Sequence, residues 1–318
     1  YGTPRVWQTL QTEYGNNTVT GQAADGSELV AAYSYIGGGK LNLFFAGNLQ
    51  TNGNKIFVFL DTQSGVGQNR LRGDNNGISA LLRMGDSGGP NGFVFESGFD
   101  ADHAFVFNAG DGSNVFVDYS TLPSSSGGSH TYLGSSALGA GSGTLSGGTN
   151  LMGVLSVLRN GNTLGVGSGN AGGQIPQVGT SGLELSIPLT SLGTVDQSVK
   201  VVAFVANGSG DHLSNQFLPD LSSSLATTSA ISNLGEPRGK SLSATAGTQF
   251  FYVQPRSKNV LLANRITTTF AASSVALVRV RPGIASQDIS DIANVAVSLP
   301  GNTPGAQISM SPTKTSSG

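Results

Sequence analysis

Residues 40–69 read KLNLFFAGNLQTNGNKIFVFLDTQSGVGQN, and the fold follows from the periodicity of this stretch. Leu41, Leu43 and Phe45 alternate with Asn42 and Phe44, while Ile56, Val58 and Leu60 alternate with Phe57 and Phe59. Both apolar runs therefore carry the period of two that a β-strand imposes. Asn52-Gly53-Asn54 supplies residues that tolerate positive φ, so the spacing predicts a β-hairpin. Similar runs are expected to form strands at 6–13, 28–36, 92–96, 103–108, 114–118, 151–159, 182–188 and 199–206. Turns rich in Gly, Asn, Asp and Ser separate them. The pattern predicts an all-β chain folded as an antiparallel jelly-roll-like sandwich. Helical spacing is confined to short windows near 78–84, 213–218 and 286–293, and the Gly/Ser-rich stretch 124–150 reads as a long loop.

The body is expected to span residues 1–220, followed by a polar linker at 221–235 and a smaller β unit at 236–318, with strands at 249–254, 259–263, 265–270, 274–280 and 294–299. Charge divides along the same line, because residues 1–235 carry a net −7 and residues 236–318 a net +5. Opposite charges of this size attract a segment to its own body or to a neighbouring copy. Arg256, Lys258, Arg265, Arg279 and Arg281 are the candidate assembly contacts. They are too scattered to form the dense phosphate-binding face of a nucleic-acid protein.

Composition removes several chemistries. The chain has no cysteine, which excludes thiol nucleophiles, disulfides and thiolate metal sites. Only 11% of residues are charged, against about 25% in ordinary soluble domains. A surface of hydroxyl and amide groups suits bacterial surface proteins, shells and adhesins, whose neighbours must approach without charge repulsion. No apolar run reaches the roughly 20 residues of a membrane-spanning helix. The chain opens at Tyr1 without a basic and apolar leader, so an export signal is expected to have been removed.

Several motifs invite specific readings. Gly85-Asp86-Ser87-Gly88-Gly89-Pro90 matches the nucleophile loop of trypsin-like serine proteases, but His103, His130 and His212 all lie downstream of the serine, against the order that chemistry needs in that family. Arg72-Gly73-Asp74 reads as an exposed turn. Asn16-Asn17-Thr18 and Asn207-Gly208-Ser209 fit the N-glycosylation pattern. Asp100, Asp102, Asp111 and Asp118 could supply oxygen ligands to Ca²⁺, although their spacing is not that of an EF-hand; the alternative is that they are turn residues. His103 is expected on the polar face of a strand and His212 in a loop, neither at transition-metal spacing. Trp7, Tyr33 and Tyr35 could form an aromatic platform for a sugar ring, or pack in the core or at its rim. No acid/base pair, metal cluster or ordered nucleophile stands out, and a non-enzymatic role is expected.

The stretches Val6-Trp7-Gln8-Thr9-Leu10-Gln11-Thr12, Gly26-Ser27-Glu28-Leu29-Val30-Ala31-Ala32-Tyr33, Phe45-Ala46-Gly47-Asn48-Leu49-Gln50-Thr51-Asn52-Gly53-Asn54-Lys55 and Phe59-Leu60-Asp61-Thr62 together resemble exported bacterial proteins of the PEP-CTERM sorting type. The resemblance covers residues 1–120 and, more faintly, 182–220. It implies export and residence at the cell surface or in the exopolysaccharide matrix. Residues 309–318 depart from it, lacking Pro-Glu-Pro, an apolar helix and a basic cluster. The expected function is an extracellular structural protein that self-assembles into a filament, sheath or biofilm matrix through head-to-tail contact and β-edge pairing. The alternative is a carbohydrate-binding jelly-roll module of that matrix.

Overall fold

The computed structural model describes residues 4–8, 14, 26–161, 181–196, 198–221, 232–245 and 247–254, together with the backbone pairing of 295–296 with 309–310. In chain order the strands are β1 (Val6–Trp7), β2 (Glu28–Gly37), β3 (Lys40–Asn48), β4 (Lys55–Asp61), β5 (His103–Asn108), β6 (Asn114–Thr121), β7 (His130–Ala137), β8 (Ser146–Gly147), β9 (Leu155–Leu158), β10 (Gly182–Pro188), β11 (Val199–Ala206), β12 (Leu213–Leu218), β13 (Phe251–Val253), β14 (Val295–Ala296) and β15 (Ser309–Met310). One short helix, α1 (Ser79–Arg83), lies between β4 and β5.

Two antiparallel sheets form the sandwich. The first runs β1-β2-β3-β10-β9, and the second runs β12-β11-β4-β5-β6-β7-β8, with β13 also paired to β11. The fold is the all-β sandwich that the alternation predicts. Gly38 and Gly39 close the β2–β3 hairpin at φ values of 59° and 72°, a two-residue turn in which both centres need positive φ.

The hairpin expected between β3 and β4 is not one. Both strands form where the alternation places them, but β3 pairs with β2 and β10 while β4 pairs with β5 and β11. Residues 49–54 arch from one sheet to the other, across the roughly 10 Å that separates packed sheets. Leu49 is buried in the arch, and the Asn160 side chain accepts from its N–H at 2.9 Å and donates to its carbonyl at 2.6 Å. β10 and β11 make the same crossing, so β3/β10 in one sheet continues as β4/β11 in the other. This ribbon wrapped over both layers is the jelly-roll device.

Apolar residues of alternate parity explain the layers. Leu41, Leu43 and Phe45 face Ile56, Val58, Leu60, Phe105 and Phe107 in the core between the sheets. The other face of β4 and β11 is also apolar, and it is covered. Phe57, Phe59, Val202 and Phe204 pack beneath Leu71, Leu81, Phe93, Phe95 and Phe99 of the long β4–β5 excursion, with Leu242 and Phe250 alongside. Phe204 is the hub, with ring centroids 4.8 Å from Phe217, 5.4 Å from Phe59, 5.5 Å from Phe57 and 5.7 Å from Phe93. A strand buried on both faces reads as a continuous apolar run, as KIFVFL does.

The domain boundary lies later than the charge division places it. The body extends to Pro255, and residues 256–318 cluster separately. Residues 232–254 belong to the body because Leu242 and Phe250 fill its second core, the Val94 N–H donates to the Lys240 carbonyl at 2.9 Å, and β13 adds to β11. Three local expectations change with it. Residues 213–218 form β12 rather than a helix, every one of them buried against β11. Residues 124–150 contain β7 and β8 rather than a continuous loop, because Tyr132, Leu133 and Ser136 supply alternation that the glycines dilute. Residues 92–96 are held by isolated bridges at Val94 to Arg70 and Ser241 instead of a strand.

In the second unit, Val295 and Ala296 pair with Met310 and Ser309, within the strand expected at 294–299. The strands expected at 259–263, 265–270 and 274–280 and the helix near 286–293 lie outside the described residues.

Candidate functional site

The outer face of the five-stranded sheet carries one exposed and three half-buried aromatic side chains, Trp7, Tyr33, Tyr35 and Phe44. Cross-strand register places them in rows. Trp7 stands opposite Ala31, which stands opposite Ala46. The next row is Tyr33, Phe44, Glu184 and Val157, and the one after is Tyr35, Asn42, Ser186 and Leu155. Ala31, Tyr33 and Tyr35 alternate with core-facing Ala32 and Ile36, so strand parity alone puts all three on this face. Trp7, Tyr33 and Tyr35 thus share one surface, with successive positions about 7 Å apart along the strand direction.

Trp7 is 38% exposed. Tyr33 and Phe44 are half-buried with ring centroids 5.6 Å apart, and burial raises the Tyr33 phenol above its ordinary pKa. Their packing on Val30, Ala31 and Ala46 fixes the rings. Polar groups flank them, with the Ser186 hydroxyl donating to Asn42 Oδ1 at 2.8 Å. At the β9–β10 edge the row from Tyr33 ends beside a recess of ≈ 150 Å³ that Phe44, Val157, Arg159 and Glu184 help to line.

The four aspartates are not brought together. Asp111 caps the β5–β6 turn, accepting from the Ser113 and Asn114 backbone N–H groups at 2.8 and 2.7 Å. Asp118 pairs with His130 at 2.9 Å. Asp102 lies at the other end of β5, about 20 Å from the Asp111 turn by strand rise, where its Oδ2 accepts from Thr62 N, Thr62 Oγ1 and Gln63 N at 2.6, 2.8 and 2.9 Å. Asp100 contributes its backbone N–H to Asp61 at 3.0 Å. Among the described residues no three His, Asp or Glu side chains converge on a common point. The aspartates named as candidate Ca²⁺ ligands are therefore not gathered at one point: Asp111 closes a turn, Asp102 tethers a strand end and Asp118 pairs with His130 across β6 and β7.

A buried polar chain that the sequence does not reveal crosses the end of the eight-stranded sheet. Lys200 Nζ lies 2.8 Å from Asp61 Oδ2, their side chains 17% and 2% exposed. Burial raises Asp102 above its ordinary pKa against the pull of its three hydrogen bonds, and the Asp61 charge adds to the rise. Thr62 Oγ1 lies 3.3 Å from His103 Nε2, and His103 Nδ1 lies 2.8 Å from the Tyr119 hydroxyl. Burial pulls His103 down to about 4 and, with the Asp102 charge, pushes the Tyr119 phenol up. His103 therefore faces the core rather than the polar face. The chain ties β4, β5, β6 and β11 together.

The remaining motifs lie in turns and loops held by local hydrogen bonds. Asp86 Oδ2 accepts from Asn91 N at 3.0 Å and closes the 85–90 loop, and among the described residues no hydrogen bond joins Ser87 to a histidine. Arg72 and Asp74 pair with each other through two contacts of 2.9 and 2.7 Å, so the tripeptide's charges are satisfied internally. Asn207 is a turn cap: its Oδ1 accepts from Asp211 N at 3.1 Å and its Nδ2 donates to Asp211 Oδ1 at 2.6 Å. His212 stacks on Tyr14 with centroids 6.0 Å apart. Asn16-Asn17-Thr18 and the candidate assembly residues Arg256, Lys258, Arg265, Arg279 and Arg281 lie outside the described residues.

Sheet edges in the body are short or covered. Among the described residues β1 and β8 are two residues long, Leu213 of β12 bridges Gly235, and Thr144 bridges Leu155 of β9. Such edges resist strand addition. Among the described residues no helix is long and apolar enough to cross a membrane. Comparison with known proteins finds no matching family model, no matching curated protein and no matching solved structure.

Proposed function

We propose that the protein is an extracellular carbohydrate-binding sandwich that holds a polysaccharide on the outer face of its five-stranded sheet, as a resident of a cell-surface or exopolysaccharide matrix. The observation that carries this reading is the convergence of Trp7, Tyr33 and Tyr35 on one solvent-facing surface. Aromatic faces stack against the C–H faces of sugar rings, and flanking hydroxyls and amides read the ring hydroxyls. A sheet holds such a platform rigid before the ligand arrives, which lowers the ordering cost of binding. Jelly-roll sandwiches include lectin domains. The test is retention on a polysaccharide array and in affinity electrophoresis. Trp7→Ala and Tyr35→Ala should each abolish retention while the protein stays folded, with stability changed by no more than about 1 kcal/mol; retention surviving both substitutions refutes the platform.

Assembly is the second reading, and charge favours it. With the boundary at Pro255 the body carries −6 and residues 256–318 carry +4, so head-to-tail attraction between copies follows from electrostatics without β-edge pairing in the body. Deleting 256–318 should leave a monomer by size-exclusion chromatography where the full chain forms fibres or sheets under negative stain. Assembly that persists without those residues refutes it.

A further inference from the structure

We infer that the recess at the β9–β10 edge is a subsite for one neutral pyranose ring, an assignment that rests on the polysaccharide reading and specifies what that face selects. The recess holds ≈ 150 Å³, a volume that admits a six-membered ring. Phe44 and Val157 give it an apolar floor, and Gly141 leaves one wall without a side chain. The row Tyr33, Phe44, Glu184, Val157 leads from the aromatic platform into it, crossing four strands in about 15 Å.

Two independent observations mark it as built for a ligand. Ser181, only 9% exposed, lines the recess, and among the described residues its buried hydroxyl has no hydrogen-bond partner. Such orphaned groups are rare in folded proteins and call for a partner. Arg159 and Glu184 line the same space, yet they form no ion pair with each other or with any other described residue. One guanidinium and one carboxylate give the recess no net charge. A charged ring would gain from one and be repelled by the other. A neutral polyol uses both, donating hydroxyl protons to Glu184 and accepting from Arg159.

The experiment is affinity electrophoresis of the full chain through gels holding a neutral polymer (β-glucan or galactomannan) or an acidic one (alginate or polygalacturonate). Gly141→Leu adds bulk at the recess wall: no atom lies within 4 Å of the position its Cβ would take, so the fold should accept it. Arg159→Gln and Glu184→Gln remove the charges from exposed positions. A neutral polymer should retain the parent protein; Arg159→Gln and Glu184→Gln should each weaken that retention at least about tenfold, as loss of a hydrogen bond to a charged group does, and Gly141→Leu should weaken it by steric obstruction, all three with unchanged thermal unfolding. Should Trp7→Ala lose retention while all three recess variants keep it, the subsite is overturned and the platform stands. Loss in the recess variants with retention in Trp7→Ala and Tyr35→Ala upholds the subsite and refutes the platform. Stronger retention by the acidic polymers overturns the neutral-ring assignment, and no retention by any polymer overturns both.

Discussion

Replacing Phe204 by Ala tests the layered architecture most directly. Its side chain is fully buried on the outer face of β11 and has four aromatic neighbours within 5.7 Å. Truncation of a buried Phe costs about 3–5 kcal/mol, the higher values arising where surroundings cannot collapse. Here β11 is held between β4 on one side and β12 and β13 on the other, so the backbone cannot move inward and the loss should be about 4 kcal/mol. That is a large share of the roughly 5–15 kcal/mol that holds a domain folded, and it should lower Tm by about 8–16 °C. Urea unfolding followed by intrinsic fluorescence and circular dichroism measures it, with an unchanged m-value showing that the unfolded reference is the same. Limited proteolysis should also cut the 62–102 excursion faster. A loss below about 1 kcal/mol would mean that the excursion does not seal this face, and the two-core description would fall.

Stability should depend on His103 in a defined pH window. Its folded pKa of about 4 lies below the unfolded value of 6.5, so the unfolded chain takes up the proton first; the contribution is complete above about 6.5 and is lost progressively as pH falls toward 4, reaching about 3 kcal/mol. Asp102, raised by burial, acts in the opposite sense, and the difference between the parent protein and His103→Gln isolates the imidazole; identical pH profiles would refute the assignment. Lys200→Met strands Asp61, which is 2% exposed, and should cost about 3 kcal/mol, at the low end for a broken buried pair because the lysine is partly solvated; denaturant titration at pH 7 checks it, and a neutral result would show that water already reaches Asp61. Trp7→Ala, on a short edge strand and 38% exposed, should leave stability within about 1 kcal/mol while removing polysaccharide retention.

Strand existence was legible because alternation is a local signal, and β2, β3, β4, β5, β10 and β11 form where the apolar residues recur every second position. Partner choice was not legible in the same way. The turn at Asn52-Gly53-Asn54 has hairpin chemistry, but β10 and β11 compete for the inner edges of β3 and β4 from far along the chain, and no short-range pattern encodes that competition. The second core could have been found in the continuous apolar run Ile56-Phe57-Val58-Phe59-Leu60, since a strand with one wet face does not spend two phenylalanines on it. LSNQFL at 213–218 has no alternation because all six residues are buried, its Ser214 and Gln216 satisfied by hydrogen bonds such as Ser214 Oγ to the Val205 carbonyl at 2.7 Å. Parity gave the shared face of Tyr33 and Tyr35, whereas Trp7 joins it only through the pairing of β1. Arg159, Ser181 and Glu184 meet only once β9 and β10 are side by side, so sequence alone offered no route to them.

The ribbon that threads both layers also sets an order of events during synthesis. β3 and β4 are complete by residue 61, but β10 and β11, which lie beside them, span residues 182–206. At about 5–20 residues per second, the ribosome leaves the inner edges of both sheets unpaired for on the order of 10 s. Throughout that interval the nascent chain presents two open strand edges and two uncovered apolar faces, a combination that invites intermolecular pairing. A chain of this topology therefore gains from a holding factor, or from slow passage in an extended state, until β10 and β11 have emerged.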